Sequence, residues 1–214
     1  FGIVYYWSAL TSILLPEKIT EFASEAAKGK TLGLVTAIGS LVLILMEPVA
    51  GVMSDRHESP SGKRKPFIFW GTMGMALLLI ALFYVPSLVS FIAIFIILKV
   101  FWAFAEGTFP ALIPDTVPES QRGQASGWLG VLQLLGASAG AFITGKMVAN
   151  ADALKRLLPL DPLVQAAIVT SILLLLCALI VRIWVRERPQ PPAPRSERSV
   201  WLEAFEIRPL LEKR

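Results

Sequence analysis

The chain has 214 residues, 55% of them hydrophobic and 17% charged, with a mean hydropathy of +0.64. A water-soluble domain carries roughly 25% charged residues, so this sequence lacks the polar surface to live in water. The net charge of +4 does not signal nucleic acid, because the basic residues fall in short clusters beside apolar blocks, where the positive-inside rule places them. One cysteine, Cys177, in an apolar run and one histidine, His57, in a loop exclude a disulfide framework and a Cys/His metal site.

The apolar residues gather in blocks of roughly 18 to 25, the length a helix needs to cross about 30 Å of hydrocarbon. Six blocks predict an all-α membrane protein, a six-transmembrane-helix bundle occupying 1–188. The first span, 1–15, begins on Phe1 with neither Met nor the basic region of a secretory signal. It therefore reads as a span missing its beginning, and the sequence as a fragment. The span stops at Pro16, and EKITEFASEAAKGK follows as a charged connection of weak helical character. Span two, 32–53, runs into SDRHESPSGKRK, a polar loop with Ser-Pro and Ser-Gly turn signals and a basic end. Spans three, 66–85, and four, 88–112, are joined at Pro86-Ser87 as a tight hairpin. After span four, Pro110, Pro114 and Pro118 forbid a regular helix. Span five, 125–148, is rich in small residues, and its Gly136 and Gly140 form a GxxxG pair that lets another helix approach closely. NADALKRLLPLDP leads to span six, 163–185.

The remainder, 189–214, is a Pro-rich charged linker followed by SVWLEAFEIRPLLEKR. Trp201, Leu202 and Phe205 share a helical face there, which fits a short amphipathic helix on the membrane or the run-in to a further span. Orientation follows from the loops. Arg56, Lys63, Arg64, Lys65, Arg122, Arg186, Arg188, Arg195 and Arg198 fall on one side. The other holds Lys18, Lys28, Lys30, Lys146, Lys155 and Arg156, largely offset by acids. The first side is expected in the cytoplasm, with both chain ends, in a multi-pass protein of the plasma membrane.

Ionisable groups inside a span cost at least ~2.5 kcal/mol each on insertion scales, so each is a functional candidate. Glu47 in span two, Lys99 and Glu106 in span four, and the polar Gln133 in span five stand out. Lys99 and Glu106 lie two helical turns apart and so share one face, expected to look into the bundle or a water-filled cavity. Glu47 and Glu106 suit the binding and release of a proton or monovalent cation as access alternates. Lys99 would pair with an acid or hold an anionic or hydroxylated solute, the alternative being a static charge pair that fixes helix register. Tyr5, Tyr6 and Trp7 of span one and Trp102 of span four would stack on a solute ring or simply pack and anchor their helices. In the loop after span two, Gly51 would permit close approach of a neighbouring helix, and Asp55 with Arg64 or a nearby helix end would form a charge-assisted latch. A solvated basic turn is the plainer reading.

At these residues the sequence resembles a known family. GVMSDR followed by GKRK, that is Gly51, Asp55 and Arg56 and then Gly62, Lys63 and Arg64, is similar to the loop signature between the second and third helices of the major facilitator superfamily. The longer connection from Arg56 to Gly62, with Glu47-Pro48 before and Pro66-Phe67-Ile68 after, resembles the glycoside-pentoside-hexuronide cation symporters and the sucrose-type transporters. The loop after span four, with Asp115, Pro118, Arg122 and Gly123, resembles the superfamily's loop there. The resemblance implies the N-terminal half of a twelve-helix transporter that rocks two six-helix halves around a central site, its partners being the bilayer, a small-molecule solute and the missing C-terminal half. It also implies that Glu47, before the span-two proline, binds a coupling cation. Leu43 stands where sodium-coupled members carry a second acid, which favours proton coupling or none.

The leading expectation is therefore a secondary transporter, a symporter of a small organic solute such as a sugar or glycoside, with no cofactor beyond a coupling proton or cation. The same superfamily exports drugs and metabolites, and the sequence does not separate the two directions. A six-helix membrane enzyme or channel is the alternative from another class, and one histidine leaves an enzyme little to build with. A half-length transporter that pairs with a second copy through spans two and five would place Gly136 and Gly140 in the interface.

Overall fold

The structure is a computed structural model that describes residues 1–57, 59, 62–185 and 199–205. The described residues are helical or connecting, with no strand among them. Among the described residues, five helices are long and apolar enough to cross a membrane: α3 (Glu25–Arg56), α4 (Lys65–Leu82), α5 (Leu88–Glu106), α7 (Arg122–Ala149) and α9 (Pro162–Trp184). The N-terminal stretch is helical in three pieces, α1 (Gly2–Ala9), a π-helical turn at Leu10–Leu14, and α2 (Leu15–Ile19). Four short helices complete the described chain: α6 (Leu112–Thr116), a 3₁₀ turn at Glu119–Gln121, α8 (Ala151–Leu157) and α10 (Val200–Ala204).

Several boundaries differ from the sequence expectation, each for a local reason. The first helix does not stop at Pro16. The wide π turn before it removes the steric conflict between the proline ring and the carbonyl four residues back, and the helix continues to Ile19. Helix α3 starts at Glu25 rather than 32, because EAAK is itself a good helix-forming run, so most of the expected charged connection becomes helix. Helix α5 ends at Glu106 instead of running to 112. Its chain turns at Gly107 and re-forms as α6, where Pro114 sits in the first turn and no intrahelical N–H is needed. Residues 151–157, read as a connection, form α8. A short connection joins α4 to α5, with the Ser87 hydroxyl capping α5 by accepting from the Ser90 N–H. Asp161 does the same for α9 through the Leu163 N–H at 2.8 Å.

Packing joins α4 to α5 and α9, α1 to α7 and α9, and α3 to α5. The core they enclose is Tyr6, Leu10, Leu14, Met75, Leu79, Phe91, Phe95, Leu98 and Trp102 with their neighbours. The GxxxG pair of α7 is used inside this bundle. A β-carbon at Gly136 would lie 2.7 Å from the Phe1 carbonyl oxygen, and one at Gly140 would strike the Tyr5 carbonyl, so both glycines let α1 lie directly on α7. Helices α3 and α7 are the least buried, and leave Leu41, Ile44, Leu134 and Phe142 exposed. Of the linker expected at 189–214, only the segment 199–205 is described. Its α10 leans on α3 through an Arg56–Glu203 ion pair, with Trp201 exposed and stacked on Phe205. Arg186, Arg188, Arg195 and Arg198, used for orientation, lie outside the described residues.

Candidate functional site

The polar candidates gather where α3 crosses α5. At Gly39 a β-carbon would stand 2.7 Å from a Phe95 ring carbon and 3.0 Å from Lys99 Cε. One at Gly107 would stand 3.1 Å from the carbonyl oxygen of Glu47. Gly39 of α3 and Gly107, just past the end of α5, therefore bring α3 and α5 together, and set Lys99 beside the middle of α3 and Glu47 beside the end of α5.

Lys99 is 1% exposed, and its ammonium is enclosed by aromatic rings. Its Nζ lies 3.7 Å from the centre of the Trp7 ring, 5.0 Å from that of Trp102 and 5.3 Å from that of Phe95. Trp7 and Trp102 meet edge to face at 4.8 Å, and Tyr6 closes the side through Trp102 at 5.8 Å. A ring face attracts a cation through its quadrupole, by about 0.5–2 kcal/mol, and three rings together offset part of what burial costs a charge. Among the described residues no carboxylate forms an ion pair with Lys99. The static charge pair weighed from the sequence is thus not formed. Glu47 and Glu106 are half-buried, and theirs are the carboxylate charges that act on Lys99 at longer range.

The other candidates divide. Glu106 and the exposed Gln133 line a cavity of about 410 Å³ with Phe1, Thr72, Phe109 and Cys177, between α1, α4, α7, α9 and the end of α5. Although Glu106 shares a helix face with Lys99, the two form no ion pair among the described residues. Tyr5 is fully buried against α7, and its hydroxyl has no hydrogen-bond partner among the described residues, whereas the Tyr6 hydroxyl donates to the Met75 carbonyl at 3.0 Å. Sequence reasoning singled out Lys99 and Trp102 but passed over Phe95, although it stands four residues before Lys99, and Gly39, whose only signal is its own small size.

A second cluster occupies one end of the bundle. Arg64 is 9% exposed and its guanidinium spans three groups: Asp55 Oδ1 at 2.6 Å, Asp115 Oδ2 at 3.2 Å and Ser54 Oγ at 3.4 Å. It so ties the end of α3, the start of α4 and α6. Gly62 precedes it with φ 104°, a left-handed conformation that a side chain would strain. Arg122 donates to the Pro114 and Val117 carbonyls, which fixes the α6–α7 turn, while Gly123 faces open space. The expected close approach at Gly51 is not made among the described residues: a β-carbon there would meet none of them within 4 Å.

Several apolar helices of membrane-crossing length, with the ionisable Lys99 buried between them, define an integral multi-pass membrane protein. The sequence matches the model of the Major Facilitator Superfamily over residues 1–214, and the chain belongs to that superfamily. It is similar to the general alpha-glucoside permease of Schizosaccharomyces pombe, 27% identical over 197 residues, which cover 79% of this chain and 33% of the permease. It is also similar to the lactose permease of Lactobacillus delbrueckii subsp. bulgaricus, 30% identical over 125 residues, or 54% of this chain and 19% of that protein. The chain spans a third or less of the length of these curated relatives.

Proposed function

We propose that this chain is the N-terminal six-span half of a secondary transporter that carries a small sugar or glycoside by alternating access. Gly2–Ile19 is then the first span despite its π turn, both ends of the chain lie in the cytoplasm of the plasma membrane, and the missing half completes the central site. The observation that carries the reading is the crossing of α3 and α5, where Glu47, Lys99 and Trp102 converge in a chain of this superfamily. Two relatives named as permeases of an alpha-glucoside and of lactose support a sugar as the solute. Glu47, with Glu106 as the second acid, binds the coupling proton. Gln133 lines the path to the site, and Tyr5 holds α1 against α7. The Asp55–Arg64–Asp115 cluster, with Arg56, Lys63, Arg122 and the glycines at 51, 62 and 123 shaping its loops, is the latch that holds one conformation until transport breaks it.

The test is Glu47→Gln in the full-length protein reconstituted in liposomes. A proton carrier at this position predicts loss of uphill uptake driven by a pH gradient while solute exchange persists. Gradient-driven uptake at the wild-type rate would remove Glu47 from the coupling step.

A further inference from the structure

Helix α5 carries a second cavity, lined by none of the residues around Lys99. Helices α3 and α4 each pack on α5. The α4 contact is close, since a β-carbon at Gly71 would stand 2.8 Å from the Phe101 carbonyl oxygen and one at Gly74 would strike the Phe101 ring. Between them α3 and α4 leave a groove of about 360 Å³, walled by Met53, His57, Phe67, Trp70, Phe101 and Phe104. Ligand sites occupy roughly 300–1,000 Å³, so the groove can hold part of a molecule. Rings line it in sequence: His57 meets Phe67 edge to face at 5.4 Å, and Phe67 meets Phe104 at 6.0 Å. Among the described residues only His57 and the Trp70 N–H bring polar side-chain groups to it, too few to satisfy the hydroxyls of a sugar.

The mouth of the groove lies where a bilayer passes from hydrocarbon to headgroups. Met53 is 38% exposed and Trp70 64% exposed, each on a helix of membrane-crossing length, and tryptophan gathers at that boundary. Trp70 stands five residues into α4 from Lys65, about 8 Å of helix rise. The shallow end of the groove is basic. Arg56 ends α3, His57 follows it, and Lys63 and Lys65 flank Arg64 at the start of α4. Arg64 is held by Asp55 and Asp115. The lysines add positive charge whatever else they touch, because attraction to an anionic lipid surface acts over a Debye length. Met53 also lies nine residues, about two and a half turns, beyond the exposed Ile44 and so on the other side of α3. A surface that covers Ile44 therefore leaves the groove open.

We propose that the groove between α3 and α4 is a binding site for an anionic phospholipid, with one acyl chain against Phe67, Phe101 and Phe104 and the phosphate beside His57, Lys63 and Lys65. Such a lipid has the same order of properties as the groove, apolar at depth and oppositely charged at the surface. A soluble phosphate compound would leave the aromatic part empty, and a zwitterionic lipid would leave the basic rim without a net counter-charge. Seated there, the lipid bridges the ends of α3 and α4, the two that Arg64 ties to α6.

The experiment is photolabelling of the full-length protein in phosphatidylcholine liposomes doped with phosphatidylglycerol that carries a diazirine in one acyl chain, near the glycerol. Mass spectrometry of the peptides locates the label. It should be denser on 53–57 and 67–71 than around Ile172 and Leu176, which are exposed on α9. The phosphatidylglycerol probe should label the groove about tenfold more than a matched phosphatidylcholine probe, since each basic residue near an anionic lipid is worth roughly fivefold. Lys63→Gln combined with Lys65→Gln should bring the two probes level. Met53→Trp, which fills the mouth, should cut the groove label severalfold and leave that on α9 unchanged. Equal labelling by the two probes in the wild type, or a preference that survives the loss of both lysines, overturns the anionic lipid. Groove label no denser than that on α9 means ordinary surrounding lipid and overturns the site. Absence of groove label means that protein covers it, which overturns the site as well. If the double Gln variant elutes as aggregate, the wild-type ratio and Met53→Trp decide the matter.

Discussion

Arg64 and Lys99 are two buried cations solved in opposite ways. Arg64 spreads its charge over Asp55 and Asp115 with hydrogen bonds, while Lys99 has only ring faces. The two acids on Arg64 are not equal: the side chain of Asp55 is 56% exposed and that of Asp115 is 22% exposed. A pair open to water contributes about 0–1 kcal/mol, whereas removing a charged partner from a guanidinium cut off from solvent costs about 1.5–3 kcal/mol. Asp115→Asn should therefore lower the thermal unfolding midpoint of the purified full-length protein clearly more than Asp55→Asn. Equal shifts would mean that water reaches both sides of the cluster. Single residues of this kind were legible in the sequence because a charge in or beside an apolar run is conspicuous on its own. What they face was not. Phe95 and Trp102 are within one turn of Lys99 on α5 and follow from helical spacing, but Trp7 comes from α1 and Gly39 from α3, and no local pattern couples those helices to α5.

At the scale of the element, hydrophobic length located the spans because the bilayer sets it, while the ends depended on local chemistry that hydropathy does not weigh. Helix α5 stops at Glu106 and α3 begins at Glu25 for backbone reasons, a turn at Gly107 and a helix-forming run. The π turn at Leu10–Leu14 is the hardest to foresee, since its sequence, LTSIL, has nothing to distinguish it from an α-helical turn. The GxxxG pair was legible as a close contact but not as to its partner. That partner is α1 of the same chain, which takes Gly136 and Gly140 away from the interface with a second copy that a half-length transporter would need. Gly140→Leu should push α1 off α7 and leave the full-length protein aggregated or unfolding early, by the roughly 1–3 kcal/mol or more that overpacking a tight contact costs. Gly33→Ala on α3, where a β-carbon meets nothing within 4 Å, should unfold at the wild-type midpoint or slightly above it, because alanine is the better helix former. Fluorescence-detected size exclusion after stepped heating reads both.

At the scale of the molecule, the distribution of exposed apolar surface carries its own argument. Helices α3 and α7 bury only 17% of their most apolar window inside the chain, against 44% for α9, and the exposed residues include Leu41 and Ile44 on α3 and Leu134 and Phe142 on α7. Lipid would cover such surface at no cost, so apolar exposure alone does not separate lipid from protein. Two further features do. Glycines whose β-carbon would meet nothing among the described residues, such as Gly33 and Gly51 on α3 and Gly127 and Gly130 on α7, fall on these two helices, and small residues are what close helix contact in a membrane selects. The half-buried Glu47 also lies on α3, and a carboxylate at that depth faces protein or a water-filled cavity rather than lipid. The proposed second half therefore covers α3 and α7. Cysteines introduced singly at Ile44 and Leu134 of the full-length protein, in a background with Cys177 replaced by serine, provide the test with a short photoactivatable cross-linker. Cross-links should form within one chain, to the segment after residue 214, at a yield independent of protein density in the liposome. Cross-links between copies, rising with density, would instead make α3 and α7 the contact surface of a dimer and remove the second half from the central site.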